Sequence, residues 1–123
     1  MNHKKVLKIA SIFGVLVVII GAFGAHGLES ILIENNRVNT FETAVQYHFY
    51  HTIALLIIAV LFQNKTSNYL NWAVYLFVAG ILVFSGSLYI LALTNYTVLG
   101  AITPLGGFCF IAGWLCLFYS AKE

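Results

Sequence analysis

The side chains of this sequence that could do chemistry are concentrated in one short segment. It contains Glu42, Gln46, Tyr47, His48, Tyr50 and His51. Imidazole can ligate a metal, transfer a proton or hydrogen-bond at either ring nitrogen, so the two histidines offer the widest range of chemistry. Further polar groups within apolar stretches are His26, Ser85, Ser87, Tyr89 and Thr103. What these groups can do depends on the elements that position them.

The composition identifies the class of protein. Of the 123 residues, 61% are hydrophobic and only 8% are charged, with a mean hydropathy of +0.93. A soluble domain carries about 25% charged residues because its surface must face water. The high apolar content excludes disorder. A net charge of +2 without a Lys/Arg stripe gives no phosphate-binding surface, which excludes nucleic-acid binding. The composition therefore predicts an integral membrane protein.

Four apolar stretches are long enough to cross a bilayer, which takes about 20 residues of helix. We predict transmembrane helices at about 6–27, 41–62, 69–93 and 101–119. The fold class is then all-α, a polytopic membrane protein with a single four-helix transmembrane domain over residues 1–123. The segment 28–36 has apolar residues on one helical face, which fits either a short interfacial helix or an ordered turn.

The basic residues predict the orientation. The first apolar stretch follows a basic start that resembles a signal peptide, but it is long enough to span, so we expect it to remain uncleaved. Lys4, Lys5, Lys8, Lys65 and Lys122 would all lie on one side of the membrane and only Arg37 on the other. The positive-inside rule then predicts that both termini are cytoplasmic.

This topology places most of the polar side chains in the outer halves of the helices. At 100° per residue, Gln46, Tyr47, Tyr50 and His51 share one arc of the second helix, whereas His48 lies off it. Polar groups at membrane depth usually face the bundle interior or a wet cavity. We therefore predict a polar layer or pocket in the outer half, above an apolar inner half.

Three interpretations of the histidines are open. One is an interhelical hydrogen-bond network that holds the bundle together. Another is a pocket for a small polar or amphipathic ligand, with His51 and Gln46 as anchors. The third is a metal or haem site formed by His26, His48 and His51, which would need several convergent ligands. We predict no metal and no cofactor. We also predict no enzyme, because no nucleophile–base pair, acidic dyad or phosphate loop accompanies the histidines.

Small residues form stripes that are typical of helix packing. Gly14, Gly21 and Ala25 share a face of the first helix, and the fourth helix repeats Gly106, Cys109, Gly113 and Cys116. Such stripes let helices approach closely, within the protomer or between copies of a homo-oligomer. Gly24, Gly27 and Gly107 could instead make room for a ligand. The two cysteines are two turns apart, too far for a disulfide with each other.

Four segments carry a resemblance to a known family. They are Gly21-Ala-Phe-Gly-Ala-His26-Gly-Leu28, the run from Glu42 to His51, Phe84-Ser-Gly-Ser-Leu-Tyr89 and Ile102-Thr-Pro-Leu-Gly-Gly107. In order, they resemble the signature segments of the membrane family known as domain of unknown function 423, whose eukaryotic relatives are called transmembrane protein 256. The resemblance implies a small, mostly bacterial polytopic protein of the cytoplasmic membrane, without an established activity. The family often has Gln at the position of His48, whereas His26 and His51 match its motif.

These observations lead to two expectations about function. The first is a non-enzymatic accessory or binding protein, with an outer-half pocket for a lipid, a quinone or a partner protein. The second is a homo-oligomeric small-solute transporter or channel. The residues predicted to bind a ligand are His26, Gln46, Tyr47, Tyr50, His51, Ser85, Ser87, Tyr89 and Thr103.

Overall fold

The computed structural model describes all 123 residues, and its regular elements are all helical. They are α1 (His3–Ala25), α2 (Glu29–Glu34), α3 (Val38–Leu61), α4 (Asn68–Gly80), a π-helical turn (Ile81–Ser85), α5 (Gly86–Thr94) and α6 (Leu99–Ser120). Four helical stretches are long and apolar enough to cross a membrane: α1, α3, the continuous stretch Asn68–Thr94 and α6. The predicted all-α fold with four spanning helices is confirmed.

Polar caps determine where two of these helices begin, α1 and α4. The Asn2 side chain accepts a hydrogen bond from the Lys5 amide at 3.0 Å, so α1 starts at His3, ahead of the apolar stretch. The Ser67 hydroxyl caps α4 in the same way, accepting from the Leu70 amide at 3.2 Å. Helix α3 starts at Val38, directly after Arg37, and α2 lies within the segment 28–36.

The spanning helices pack as a row in chain order. Helix α1 packs on α3, α3 packs on the stretch 68–94, and that stretch packs on α6. The two end helices, α1 and α6, consequently have most of their surface exposed. The main core fills the half of the molecule near the termini and includes Val6, Leu55, Leu70, Phe77 and Phe110.

The two ends of the row are closed by different contacts. At the end that carries α2, which we call the α2 end, the Asn35 side chain donates to the Ala92 and Leu93 carbonyls at 3.0 and 3.2 Å. Arg37 Nε donates to Asn95 Oδ1 at 3.0 Å. At the opposite end, the terminal end, Lys65 Nζ donates to the Ser120 carbonyl. Both termini therefore lie at the terminal end. The location of this end in the cytoplasm stays a prediction.

A π-helical turn interrupts the third span. It covers Ile81–Ser85 and continues into α5 without a break in the helical backbone. Gly106 of α6 lies directly against the backbone of Phe84, so a side chain at position 106 would collide with main-chain atoms. This backbone-to-backbone approach between two spanning helices depends on glycine.

Candidate functional site

His51 lies inside the molecule among aromatic side chains. Its ring stacks on Phe110 with 3.6 Å between the ring centroids, and Phe77 meets it edge-on at 5.2 Å. The side chain is only 4% exposed. Helix α3 supplies the histidine, α4 supplies Phe77, and α6 supplies Phe110, so the imidazole holds three spans together.

Hydrogen bonds determine the tautomer of His51. Trp114 Nε1 donates to His51 Nε2 at 3.1 Å, and an indole nitrogen can only donate. Nδ1 therefore carries the proton and donates to the Tyr47 carbonyl at 2.7 Å. With both ring nitrogens engaged in this way, neither is available to a ligand or metal.

His48 is equally buried but has a different partner. Its Nδ1 lies 2.9 Å from the Tyr89 hydroxyl, which links α3 to α5. The opposite ring atom, Nε2, is buried and has no hydrogen-bond partner. The ring also meets Phe13 of α1 edge-on, with the centroids 5.7 Å apart. His48, which the helical arc left outside the polar face, is thus part of the interior.

Three hydroxyl residues predicted for the pocket also pair between or within helices. Ser85 Oγ donates to the Ala44 carbonyl at 2.8 Å, which joins the π-helical turn to α3. Ser87 Oγ and Thr103 Oγ1 lie 2.7 Å apart, which joins α5 to α6. Together with the two histidine pairs, these bonds form an interhelical network.

The structure places two residues of the predicted polar arc on the exposed side of α3 rather than in the interior. Gln46 and Tyr50 lie on the outer surface of α3, and Tyr50 is 54% exposed. Tyr47 is 39% exposed and packs one face on Phe84, with ring centroids 4.6 Å apart. The buried side of α3 is instead the side of Ala44 and His48, because α1 and the third span both pack there. The predicted residues do not converge on one interior pocket.

The three histidines of the metal interpretation are not brought together. His26 follows α1 and is exposed, and with Val18 and Phe23 it lines an open groove of about 410 Å³ on the surface of α1. His48 pairs with Tyr89 and His51 with Trp114, in different directions. No three His, Cys, Asp or Glu side chains in the molecule could hold a metal ion.

A cleft between α1, α2 and α3 lies at the α2 end. Its volume is about 420 Å³, within the range of ligand pockets. The lining residues are Gly21, Gly24, Ala25, Leu32, Val38, Phe41, Glu42, Val45 and Gln46. Glu42 is the one charged residue among them. Of the predicted binding residues, only Gln46 lines this cleft.

Two glycines of α1 make room for the cleft. A Cβ atom on Gly24 would collide with the Phe41 ring, so the missing side chain lets α1 and α3 approach there. A Cβ atom on Gly21 would lie 3.7 Å from Val45 Cγ1, an ordinary contact, and a longer side chain there would fill the cleft. The sequence signal for this site was the glycine run before His26, of which Gly24 was a candidate for ligand space and Gly21 was assigned to packing.

A smaller cavity of about 230 Å³ adjoins the cleft and extends it toward α2. Gly24, Ala25, Leu32, Val38 and Glu42 line both cavities, and Glu29 and Ile33 line only the smaller one. The site therefore has an apolar wall with carboxylates at its α2 end.

Comparison with known proteins identifies the family. The model of the protein of unknown function family DUF423 matches residues 20–107, a range that includes every residue lining the cleft. A UPF0382 membrane protein of Staphylococcus haemolyticus is 54% identical over 100 residues, covering 81% of this chain and 80% of the relative. The UPF0382 membrane protein YwdK of Bacillus subtilis is 43% identical over 122 residues, covering 98% of each chain. No solved structure matches the chain.

The names of the relatives and the helices of this chain both indicate a membrane environment. Both are named membrane proteins, and this chain has four helices able to span a bilayer. The resemblance expected from the four sequence segments is confirmed by the family model. The chain belongs to the DUF423 family of membrane proteins of unknown function.

Proposed function

We propose that this protein is a non-enzymatic accessory or binding protein of the bacterial cytoplasmic membrane, whose cleft binds a lipid molecule. The observation that carries the proposal is the polarity of the cleft along α3. Glu42 lies in the second turn of the helix, Gln46 lies one turn further into the span, and Val45 and Gly21 form apolar wall. Gln46 lies at the depth of Val45, so the wall is of mixed polarity there. The carboxylate nearer the end of the helix and the apolar groups around Gln46 match the headgroup and acyl chain of an amphiphile.

The energetics of such a site make its shape and its polar groups the source of selectivity. Each methylene group that leaves water contributes about 0.8 kcal/mol, but a lipid chain gains little by moving from bilayer to protein. Selective binding must then come from shape and from polar groups. The glycines of α1 supply the shape, and Glu42 and Gln46 supply the polar groups.

The interior histidines support a structural role rather than a catalytic one. His51 uses both ring nitrogens on Tyr47 and Trp114, and His48 bonds Tyr89. These contacts belong to the interhelical network, which holds α3 in place as one wall of the cleft. We therefore assign ligand binding to the cleft and helix positioning to the histidines.

Native mass spectrometry of the purified full chain tests the proposal. We expect co-purified lipid on the wild type and loss of most of it in Gly21→Leu, because the leucine side chain would fill the cleft. Gly100→Leu is the matched control, since nothing lies within 4 Å of a Cβ atom at position 100. Equal lipid occupancy in wild type and Gly21→Leu would contradict the proposal, and a bound quinone would replace lipid as the occupant.

The exposed polar face of α3 favours one alternative, a homo-oligomeric small-solute transporter or channel. Gln46 and Tyr50 lie at membrane depth on the outer surface of the protomer, where a second copy could cover them. A polar path would then run between copies rather than through one protomer. Flux through proteoliposomes, lost in Gln46→Leu, would favour this alternative, whereas a strictly monomeric protein without flux would exclude it.

A further inference from the structure

The charge at the rim of the cleft indicates which headgroup it binds. We propose that the ligand is a lipid with a primary ammonium headgroup and that the Glu42 carboxylate binds that ammonium. This inference rests on the proposed function, because it needs a lipid chain in the cleft. It adds the chemistry by which the protein selects one lipid from the bilayer.

The position of Glu42 supports this assignment. It is the one charged residue lining the larger cavity, and it also lines the smaller one, so it stands where the two meet. Its side chain is exposed to this space rather than covered by a neighbouring helix. The amide of Gln46, one turn away, lies about 6 Å further along the axis of α3.

The cationic side chains of the chain that could neutralise Glu42 either have another partner or lie at the opposite end of the molecule. Arg37, the one cationic side chain of the α2 end, is directed to Asn95, with its Nε donating to Asn95 Oδ1 at 3.0 Å. The five lysines lie at the terminal end: Lys4, Lys5 and Lys8 at the start of α1, and Lys65 and Lys122 against Ser120 and the rings of Phe118 and Tyr119. The carboxylate of Glu42 is therefore left to a cation from outside the chain.

The other charged group that lines the cavities around Glu42 is also negative. Glu29 lines the adjoining cavity together with Glu42, so a second carboxylate adds to the negative charge there. An anionic headgroup without an amine would be repelled by both carboxylates, and a quinone would offer only acceptors to them. An ammonium can donate three hydrogen bonds, and charge-assisted hydrogen bonds are the strong ones.

Lipid competition on the full-length protein in detergent tests this inference. The probes are dioleoyl phosphatidylethanolamine, which has a primary ammonium, and dioleoyl phosphatidylglycerol, which has the same chains and no amine. We expect the wild type to bind the ethanolamine lipid about 5-fold more tightly, a ratio typical of one charge-assisted contact near a surface. Glu42→Gln should bring that ratio close to one while still binding lipid, because glutamine keeps the shape of the rim.

Glu34→Gln is the matched control. Glu34 ends α2 at the same end of the molecule but lines neither cavity, so its removal should leave the preference unchanged. A preference that survives in Glu42→Gln, or equal affinity of the wild type for both lipids, would overturn the inference. Lipid bound in the cleft without headgroup preference would leave the proposed function standing. Unchanged lipid binding by Gly21→Leu would instead refute the cleft itself.

A soluble amine separates the headgroup from the chain. Ethanolamine phosphate carries the same ammonium without acyl chains, and we expect it to displace no bound lipid at millimolar concentration. Full displacement would overturn the assignment to a lipid, because the site would then recognise a free amine.

Discussion

His51 of α3 and Trp114 of α6 form one of the few direct contacts between these two helices. The imidazole accepts from the indole at 3.1 Å and stacks on Phe110, so it contributes both a hydrogen bond and a packed ring. Measured interhelical hydrogen bonds in membranes are worth about 0.6 kcal/mol, whereas removing a buried ring costs several times more. Packing should therefore dominate what His51 contributes to stability.

Truncation of His51 tests this balance. We expect His51→Ala to lower the free energy of unfolding by about 2–4 kcal/mol, since it leaves a cavity beside Phe77 and Phe110. Trp114→Phe, which removes the donor and keeps an aromatic ring, should cost about 1 kcal/mol. Reversible denaturant unfolding in mixed micelles measures both. Phe49→Ala is the control because Phe49 is an exposed ring on the same helix, and we expect it to stay within about 0.5 kcal/mol.

The result for His51→Ala also bears on function. His51 does not line the cleft, so the folded variant should keep its bound lipid. A variant as stable as Phe49→Ala would contradict the structural role of His51. Loss of lipid from a stably folded His51→Ala protein would instead indicate that His51 takes part in lipid binding.

The side chains of α3 illustrate why the site was only partly predictable from sequence. The polar arc containing Gln46 and Tyr50 was expected to face inward, since polar groups at membrane depth avoid lipid. The structure buries the side of Ala44 and His48, because packing against small and complementary surfaces on α1 and α5 decides which side is covered. Tyr50 lies near the middle of α3 and Gln46 one turn closer to its start, so helix packing rather than depth in the membrane decides which side is covered.

At the scale of the elements, one close contact between helices combines a glycine with a π-helical turn. Neither the turn at Ile81–Ser85 nor its partner was predictable, because the turn has the composition of an ordinary apolar helix. Only the packed structure places the backbone of Phe84 against Gly106. Glycine stripes did predict close packing of α6, but not which helix it would meet.

Two adjacent glycines of α6 provide a test of that contact. Gly106→Ala should lower the free energy of unfolding by about 1–3 kcal/mol, because its Cβ atom would collide with the Phe84 backbone and main-chain atoms cannot rotate away. Gly107→Ala should be neutral or stabilising by up to about 1 kcal/mol, since its Cβ atom would make an ordinary contact at 3.9 Å and alanine favours helix. Unfolding in mixed micelles compares the two, and equal costs would contradict the packing described for α6.

At the scale of the whole molecule, the four spans were predictable because their signal is summed over about 20 residues each. The arrangement of the spans as a row was not predictable from the sequence, since it depends on which pairs of helix faces fit together. The row leaves α1 packed mainly on α3, and this open flank is where the cleft forms. The leaflet to which the cleft belongs follows from the orientation of the chain.

The basic residues predict how the chain is oriented in the membrane. Lys4, Lys5 and Lys8 lie at the start of α1, and Lys65 and Lys122 lie at the same end of the row, whereas Arg37 lies at the α2 end. The positive-inside rule predicts that the terminal end is cytoplasmic. In a background with Cys109 and Cys116 replaced by alanine, we expect Arg37→Cys to react with an impermeant maleimide added outside intact spheroplasts. Lys65→Cys should react only after the membrane is permeabilised.

Permeabilised cells provide the control, because both cysteines should then be labelled equally. The opposite pattern, with Lys65→Cys labelled from outside, would contradict the predicted orientation and assign the cleft to the cytoplasmic leaflet. Because Glu42 lies only five residues after Arg37, the same labelling reports where the carboxylate meets the bilayer. If Arg37 is external, a lipid bound at Glu42 must come from the outer leaflet, so an amine-reactive impermeant reagent that modifies outer-leaflet ammonium lipids should empty the cleft.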